Sequence, residues 1–308
     1  MLKSNLRNSI AATFRALPYF RGKYRLAPAL LPLMTDYQNE QDCLVDIKLR
    51  DGSLMRIDLR SFTEQRAFFA GDYDGGLLKR FASILNSDSV VLDVGANVGF
   101  YAIALGRRLQ QLGGGKLWSI EPVPTNYDRL LYNTQLNHLE DIVFPLQSAL
   151  GNHTGTIPLH LGKGTGNLAT TGNAFICQGN TATEIAPNCF APITTLDALA
   201  QTHNITSCTF IKVDIEGAEL DFLQGGQEFL ARCRPIIYGE FSPYWCQEFG
   251  YSFLDVATLF SEWNYCFYQQ VGRDRFVQVK AITPGLHDVL LVPQETSAEI
   301  LAKLGASN

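Results

Sequence analysis

The stretch VVLDVGANVGFYAIALG, residues 90–106, has the pattern of an apolar strand, a glycine turn and an apolar helix. Asp93 stands near the end of the strand, and Gly95 and Gly99 frame the turn. Glycine permits a tight reversal and close helix packing, which brings backbone N–H groups to a ligand at the helix N-terminus. The run D-V-G-A-N-V-G departs from the G-x-G-x-x-G spacing of dinucleotide sites, and a carboxylate here would repel a pyrophosphate. The turn therefore favours a cationic or amino-bearing ligand.

Strand and helix patterns alternate along most of the chain after this turn. This order indicates βαβ units and a doubly wound, mostly parallel sheet of the α/β class. Two late strand patterns, 265–271 and 287–293, have no helix between them, which favours an antiparallel pair. The other strand patterns are KLWSIEP (116–122), IVFPLQSAL (142–150), CTFIKVDIEG (208–217) and PIIYGEF (235–241).

Three segments are predicted around this sheet. Residues 1–75 form an N-terminal extension that holds an amphipathic helix and a small hairpin around an Asp-Gly turn. Residues 76–293 form the ligand-binding domain, and residues 294–308 form a C-terminal tail. Within the domain, residues 162–192 are rich in Gly, Thr, Asn and Ala. We predict that they form a long loop insertion, and a substrate loop is favoured over a passive insertion.

The N-terminal helix pattern is amphipathic and basic. Apolar residues recur at helical spacing over residues 2–17, with Lys3, Arg7 and Arg15 on a neighbouring stripe. Two interpretations stay open. The helix lies on an anionic membrane surface, as a peripheral contact through residues 1–25, or it packs on its own domain with its charges in water.

The composition narrows the class of protein. The 308 residues carry a formal net charge of −5, which argues against a nucleic-acid partner because such a face needs clustered Lys and Arg. No apolar run reaches the ~18 residues of a membrane-spanning helix, and the N-terminus lacks the apolar core of a secretory signal. The seven cysteines are odd in number and form no CxxC motif. We therefore expect reduced thiols in a cytoplasmic protein, without a disulfide framework or a zinc site.

Acidic residues occur at the ends of the predicted strands. Parallel strands end at one rim of the sheet, where the ligands of such folds bind. Glu121 ends the strand after that of Asp93, and a carboxylate there can accept both hydroxyls of a ribose. Two later strands end at Asp214, with Glu216 close by, and at Glu240. This rim suits a ligand with a ribose, a planar base, an ammonium group and a carboxylate, and S-adenosylmethionine (SAM) fits that description better than NAD.

Four stretches resemble successive motifs of the FkbM-type SAM-dependent methyltransferases: VVLDVGANVGFYA, SIEPVPTNYDRLLYN, TTLDAL and FIKVDIEGAELDFLQGG. The upstream FTEQRAFFAGDYDGGLL is similar to the segment that precedes the fold in that family. The resemblance implies the class I methyltransferase fold, a Rossmann-like seven-stranded sheet with an antiparallel last strand. Members of the family methylate hydroxyl groups of natural products and sugars. Pro145, inside the third strand, departs from the pattern because proline removes a ladder hydrogen bond.

The resemblance also implies roles for individual residues. Asp93 would approach the amino group of SAM, Glu121 would hold the ribose, and Tyr73 would close over the bound cofactor. The other expected cofactor contacts are Gly95, Ala96, Asn97 and Gly99 around the methionine moiety, Ser148 and Ala149 beside the adenine, and Pro122 and Asp214.

Methyl transfer to a hydroxyl needs a group that takes the hydroxyl proton. Asp214 is the leading candidate base because its strand ends beside the expected methyl position, with Glu216 and Glu240 in reserve. Lys212 lies on the same strand face, and we expect it to pair with one of these acids in a structural or a catalytic role. Clustered carboxylates also suit Mg²⁺, but no histidine lies near them in the sequence and we expect no metal site.

These features predict a SAM-dependent O-methyltransferase. Its acceptor would be a hydroxyl on a sugar, a glycan or glycolipid, or a natural product. Two other functions stay open: a nicotinamide-dependent oxidoreductase on a related sheet, and a SAM-binding protein without catalysis. Tyr244 and Trp245 fit either an apolar wall of the acceptor pocket or the core.

Overall fold

The secondary structure alternates between strands and helices over the residues that the computed structural model describes, which are 2–17, 29–163, 169–176 and 187–307. The helices are α1 (Leu2–Ala16), α2 (Glu40–Cys43), α3 (Phe62–Ala70), α4 (Gly75–Ser83), α5 (Phe100–Gln111), α6 (Pro124–Leu136), α7 (Leu196–Thr202), α8 (Glu219–Gln224), α9 (Gln227–Cys233), α10 (Pro243–Glu248), α11 (Phe253–Leu259) and α12 (Ala298–Leu304). The strands are β1 (Leu44–Lys48), β2 (Leu54–Asp58), β3 (Val90–Val94), β4 (Lys116–Ile120), β5 (Val143–Leu146), β6 (Ala149–Leu150), β7 (Gly155–Lys163), β8 (Ala169–Ile176), β9 (Cys189–Thr194), β10 (Phe210–Val213), β11 (Ile236–Glu240), β12 (Tyr265–Val271), β13 (Arg275–Gln278), β14 (Asp288–Pro293) and β15 (Ala306–Ser307). Two short 3₁₀ turns, Leu31–Leu33 and Ser261–Trp263, complete these elements.

A mixed sheet in the order β15-β13-β12-β14-β11-β10-β3-β4-β5 forms the centre of the fold. Strands β5, β4, β3, β10 and β11 are parallel, and β14 runs antiparallel to β11 and β12. The α/β class and the antiparallel pair are therefore confirmed. Pro145 lies in β5, an edge strand, where the missing N–H can face away from the ladder.

The prediction of seven strands was wrong, because this sheet has nine among the described residues. Strand β13 follows β12 after a short turn, and β15 pairs in parallel with β13. Residues 294–308, predicted as a tail, thus contribute helix α12 and this edge strand. Strands of four and two residues are too short for periodicity to reveal them.

Apolar residues cover both faces of the sheet. Successive side chains of a strand point to opposite faces. Val91 accordingly belongs to one buried cluster, whereas Leu92 and Val94 belong to another. Helices α5 and α6 pack into the first cluster and helices α8, α9 and α11 into the second, so the sheet is doubly wound.

The N-terminal extension packs on the domain. The hairpin β1–β2 is present, and the side chains of Asn133 in α6 and of Asn137 just after it accept hydrogen bonds from the backbone of β2 at 2.6 and 2.9 Å. In α1, Arg7 is buried and donates to the carbonyl of Asp42 at 2.7 Å, and Arg15 donates to the carbonyl of Phe68. These bonds favour the interpretation in which α1 packs on its own domain.

The basic residues at positions 21, 23 and 25 lie outside the described residues. Within the described part, no helix is both long and apolar enough to cross a membrane. The six described cysteines are free thiols.

A second sheet, in the order β6-β9-β7-β8, stands beside the first. Strand β8 falls inside residues 162–192, so the prediction of a loop was wrong for this part of the segment. Its composition is typical of loops, but its backbone pairs antiparallel with β7. Residues 164–168 and 177–186 of the predicted loop lie outside the described residues.

Candidate active site

A cavity of about 840 Å³ opens beyond the carboxyl ends of β3, β4, β10 and β11. The residues predicted to form the site line it, with one exception: Tyr73, Asp93, Gly95, Ala96, Asn97, Glu121, Pro122, Ser148, Ala149, Lys212, Asp214, Glu216 and Glu240. The exception is Gly99, which lies behind the wall at the start of α5. With φ +96° and a Cβ that would lie 2.7 Å from Leu130 Cδ1, it allows α5 and α6 to pack closely.

The glycine turn joins three strand ends. The N–H groups of Gly95 and Ala96 both donate to the carbonyl of Ile120 at 3.0 Å. Gly95 has φ +78°, and a Cβ on it would overlap the carbonyl oxygen of Asp214. Only glycine therefore fits between the ends of β3, β4 and β10.

Asp93 is buried in the cavity wall and forms no ion pair within the described structure. Neither of its carboxylate oxygens accepts a hydrogen bond of standard geometry within the described structure. Burial raises the pKa of Asp93 to about 6, and the nearby Lys212 charge and the Ala102 amide only partly oppose this effect. An unpartnered buried carboxylate is costly, so the geometry suits a cationic ligand at this point.

Glu121 is also buried, but protein donors hold both of its oxygens. Oε1 accepts from the N–H of Val123 at 3.0 Å and from Asn126 Nδ2 at 3.2 Å, and Oε2 accepts from the N–H of Asn97 at 2.8 Å. Burial raises the pKa of Glu121 in spite of these bonds. The bonds fix the carboxylate at the start of α6, where it faces the cavity.

Lys212 and Asp214 form the ion pair expected from the strand spacing. Lys212 Nζ donates to Asp214 Oδ2 at 3.0 Å, and the lysine is buried whereas the aspartate is partly exposed. Burial alone would lower the pKa of Lys212, but the charges of Asp214 and Asp93 outweigh it, and the pKa is raised. Lys212 therefore stays charged and forms an ion pair with Asp214.

Two further carboxylates in the cavity have pKa values near neutrality. Burial, with the charges of Asp214 and Glu219, raises the pKa of Glu216 to about 7, although a hydrogen bond from Trp245 opposes the rise. Glu216 also has φ +52°, a conformation that a non-glycine residue adopts at a cost. Burial, then Asp214 and Asp288, raise the pKa of Glu240 to about 8.

Sequence reasoning missed His287 and Asp288, because these residues are remote from Glu240 along the chain. The antiparallel register of β11 and β14 places Asp288 opposite Glu240. His287 Nε2 lies 3.5 Å from Glu240 Oε1, and its Nδ1 lies 3.6 Å from Asp288 Oδ2. One ligand atom from each residue lies within 4.8 Å of the others, so these three could hold a metal ion. The strand pattern at 287–293, predicted to belong to an antiparallel pair, was the sequence feature that could have revealed them.

Helix α3, the second sheet and the turn after β12 supply further wall residues that were not named among the predicted site residues. Helix α3 contributes Thr63, Glu64, Arg66 and Ala67, the second sheet contributes Leu159 and Ile176, and the turn after β12 contributes Gly272 and Arg273. The FTEQRAFF segment, which contains most of α3, was the available signal for the first of these walls.

The aromatic residues singled out in the sequence occupy different positions. Tyr73 lines the cavity, and its ring stacks on Phe100 with centroids 4.2 Å apart and an interplanar angle of 8°. Tyr244 is 63% exposed, and neither it nor Trp245 is part of the cavity wall. Trp245 instead reaches the site through its hydrogen bond to Glu216.

Known proteins resemble this chain over different spans. A family model described as the methyltransferase FkbM domain matches residues 93–267. Methyltransferase sdnD of Sordaria araneosa is 36% identical over 75 residues, 24% of this chain and 28% of that protein. Hexuronic acid methyltransferase AglP of Haloferax volcanii is 26% identical over 142 residues, 45% of this chain and 50% of that protein. This chain therefore matches at most half the length of these two curated relatives.

Among solved structures, a methyltransferase FkbM from Methylobacillus flagellatus KT is 16% identical. The alignment covers 75% of this chain and 52% of that chain, with a TM-score of 0.43.

Proposed function

This chain belongs to the FkbM methyltransferase domain family, and we propose that it transfers a methyl group from SAM to a hydroxyl group of a sugar, glycan, glycolipid or natural product. The observation that carries the proposal is Asp93, a buried carboxylate with both oxygens unpartnered in the wall of the cavity. Such a group suits the ammonium of an amino acid, which SAM has and NAD lacks.

The rest of the cavity wall supports SAM as the ligand. Glu121 would bind the ribose, Ser148 and Ala149 would flank the adenine, and the turn at Gly95 would contact the methionine moiety. SAM supplies an electrophilic methyl group on a sulfonium. The chain's part is to orient the acceptor beside that methyl group and to exclude water.

Glu216 is the carboxylate best placed to take the hydroxyl proton. Asp214, the leading candidate from the sequence, is already paired with Lys212 at 3.0 Å. Glu240 lies beside His287, whose Nε2 is 3.5 Å from Glu240 Oε1. Glu216 lines the cavity, and its pKa of about 7 matches the requirement for a base that works near neutral pH.

A small hydroxylated acceptor fits the site better than a nucleic acid. The chain carries a formal net charge of −5, and nine acidic residues line the cavity beside Lys212 and two arginines: Glu64, Asp72, Asp74, Asp93, Glu121, Asp214, Glu216, Glu240 and Asp274. The name of AglP as a hexuronic acid methyltransferase is consistent with a sugar acceptor.

Free thiols support a cytoplasmic location.

Thermal unfolding with a ligand panel tests the proposal. A ligand present at about 100 times its Kd stabilises the folded state by about 2.7 kcal/mol. SAM and its product S-adenosylhomocysteine (SAH) should raise the melting temperature, and NAD should not. Stabilisation by NAD alone would favour an oxidoreductase. Stabilisation by SAH without methylation of any hydroxylated sugar or natural product in a panel would favour a binding protein.

A further inference from the structure

Glu64, in the first turn of α3, is a second buried carboxylate in the cavity wall. Its side chain is 2% exposed, and the residue lines the same cavity as Glu121. Oε2 accepts from the N–H of Asp58 at 2.7 Å and from Arg129 Nη1 at 2.6 Å. Oε1 is buried and has no hydrogen-bond partner among the described residues. One oxygen therefore anchors the side chain, and the other has no structural use.

A chain of hydrogen bonds connects Glu64 to Glu121. Arg129 binds Glu64 through Nη1 and donates from Nη2 to Asn126 Oδ1 at 3.1 Å. Asn126 Nδ2 then donates to Glu121 Oε1 at 3.2 Å. Both carboxylates and Asn126 line the cavity, so the chain of bonds holds two acids on one wall.

Glu121 alone has limited capacity for a ribose. A carboxylate has about four acceptor sites. The N–H groups of Asn97 and Val123 and the amide of Asn126 occupy three of the sites on Glu121. One site is left, whereas a ribose brings two neighbouring hydroxyl donors. The second hydroxyl needs another acceptor, and the unpartnered oxygen of Glu64 is one.

We propose that Glu64 is a second ribose-binding carboxylate, which accepts one hydroxyl of the bound nucleoside through Oε1 while Glu121 accepts the other. This inference rests on the proposed function, because it concerns the ribose of SAM. It also gives the N-terminal extension a part in the site, since α3 carries a ligand contact. If Glu64 had only a structural role, Oε2 alone would serve it. The buried Oε1 without a partner would then destabilise the folded state and serve no function.

Glu64→Gln separates these two roles. The amide oxygen can still accept from the N–H of Asp58 and from Arg129, so the amide NH₂ takes the position of Oε1. That position then offers a donor in place of an acceptor to the ribose. The matched control is Asp46→Asn, which removes the partner of Arg56 at 2.8 Å in the same extension but outside the cavity.

Calorimetric titration with SAH and its 2′-deoxy and 3′-deoxy analogues measures the contact. In the wild-type protein, loss of either hydroxyl should weaken binding about tenfold or more, because each meets a charged acceptor. In Glu64→Gln, SAH itself should bind about tenfold more weakly, and one of the two deoxy analogues should bind no worse than SAH. Asp46→Asn should behave as the wild type with all three ligands.

The outcomes separate this inference from the proposed function. If the wild type does not bind SAH, the proposed function fails. If it binds SAH, but both deoxy analogues lose the same factor in Glu64→Gln as in the wild type, Glu64 is not a ribose ligand. Should Glu64→Gln not fold, a crystal of the wild type with SAH decides: Glu64 Oε1 must lie within about 3.2 Å of a ribose hydroxyl, and a longer distance overturns the inference.

Discussion

Asp93→Asn should make the ligand-free protein more stable and the SAH complex weaker. Asp93 is buried with no hydrogen-bond partner in the described structure, and burial raises its pKa from 3.8 to about 6. A carboxylate with a raised folded-state pKa destabilises the folded state once pH exceeds its unfolded pKa, and the penalty is complete above the folded pKa. The asparagine removes the charge at nearly the same volume.

The size of the effect follows from the pKa. A rise to about 6 corresponds to roughly 3 kcal/mol at about 1.4 kcal/mol for each pH unit. The buried amide of the variant also lacks partners, which costs about 1 kcal/mol. The net gain at pH 7 should therefore be about 2 kcal/mol. It should shrink as pH falls from about 6 towards 4, because the wild-type carboxylate then becomes neutral in the folded state.

Urea unfolding at pH 7 and pH 4, with and without SAH, measures both effects. Asp93→Asn should have the higher midpoint at pH 7 and a much smaller difference at pH 4. Loss of a charge-assisted hydrogen bond should weaken SAH binding by about 10- to 100-fold. Asp141→Asn, an exposed position, is the control and should change neither quantity. A variant that is less stable at pH 7 and binds SAH as tightly as the wild type would refute the reasoning.

Three other changes have distinct expected results. Gly95→Ala should lower the free energy of unfolding by more than about 2 kcal/mol in urea, because the added methyl group meets the Asp214 carbonyl. The control is Gly113→Ala, which has a similar φ of +83° but open space around it and should lose less stability. Equal losses in the two variants would contradict the steric argument. Glu216→Gln should lower kcat about 10²- to 10⁴-fold, keep SAH affinity and remove a rise in rate with pH near 7; an unchanged pH profile would exclude it as the base. Dialysis against EDTA should leave turnover unchanged, whereas a loss that Mg²⁺ restores would make the group around His287 a metal site.

The order of elements and the acids at the strand ends were predictable from local patterns. Asp93 and Glu121 each follow a short apolar run, and parallel strands place such ends on one rim whatever the details of packing. The Lys212–Asp214 pair is likewise local, since residues two apart share a strand face.

Contacts between distant parts of the chain were not predictable in this way. His287 reaches Glu240 only through the register of β11 and β14, which no single segment encodes. Glu64 reaches the cavity because α3 packs on α6 through Arg129, a tertiary contact across 65 positions. Strand β8 was missed because its loop-like composition says little about a backbone that pairs with β7.

A crystal structure of the protein with SAH tests the central claim most directly. The account predicts the ammonium group within hydrogen-bonding distance of Asp93 and the ribose on Glu121, inside the cavity at the ends of β3 and β4. Density for SAH at any other place, or with its amino group turned away from Asp93, would contradict it.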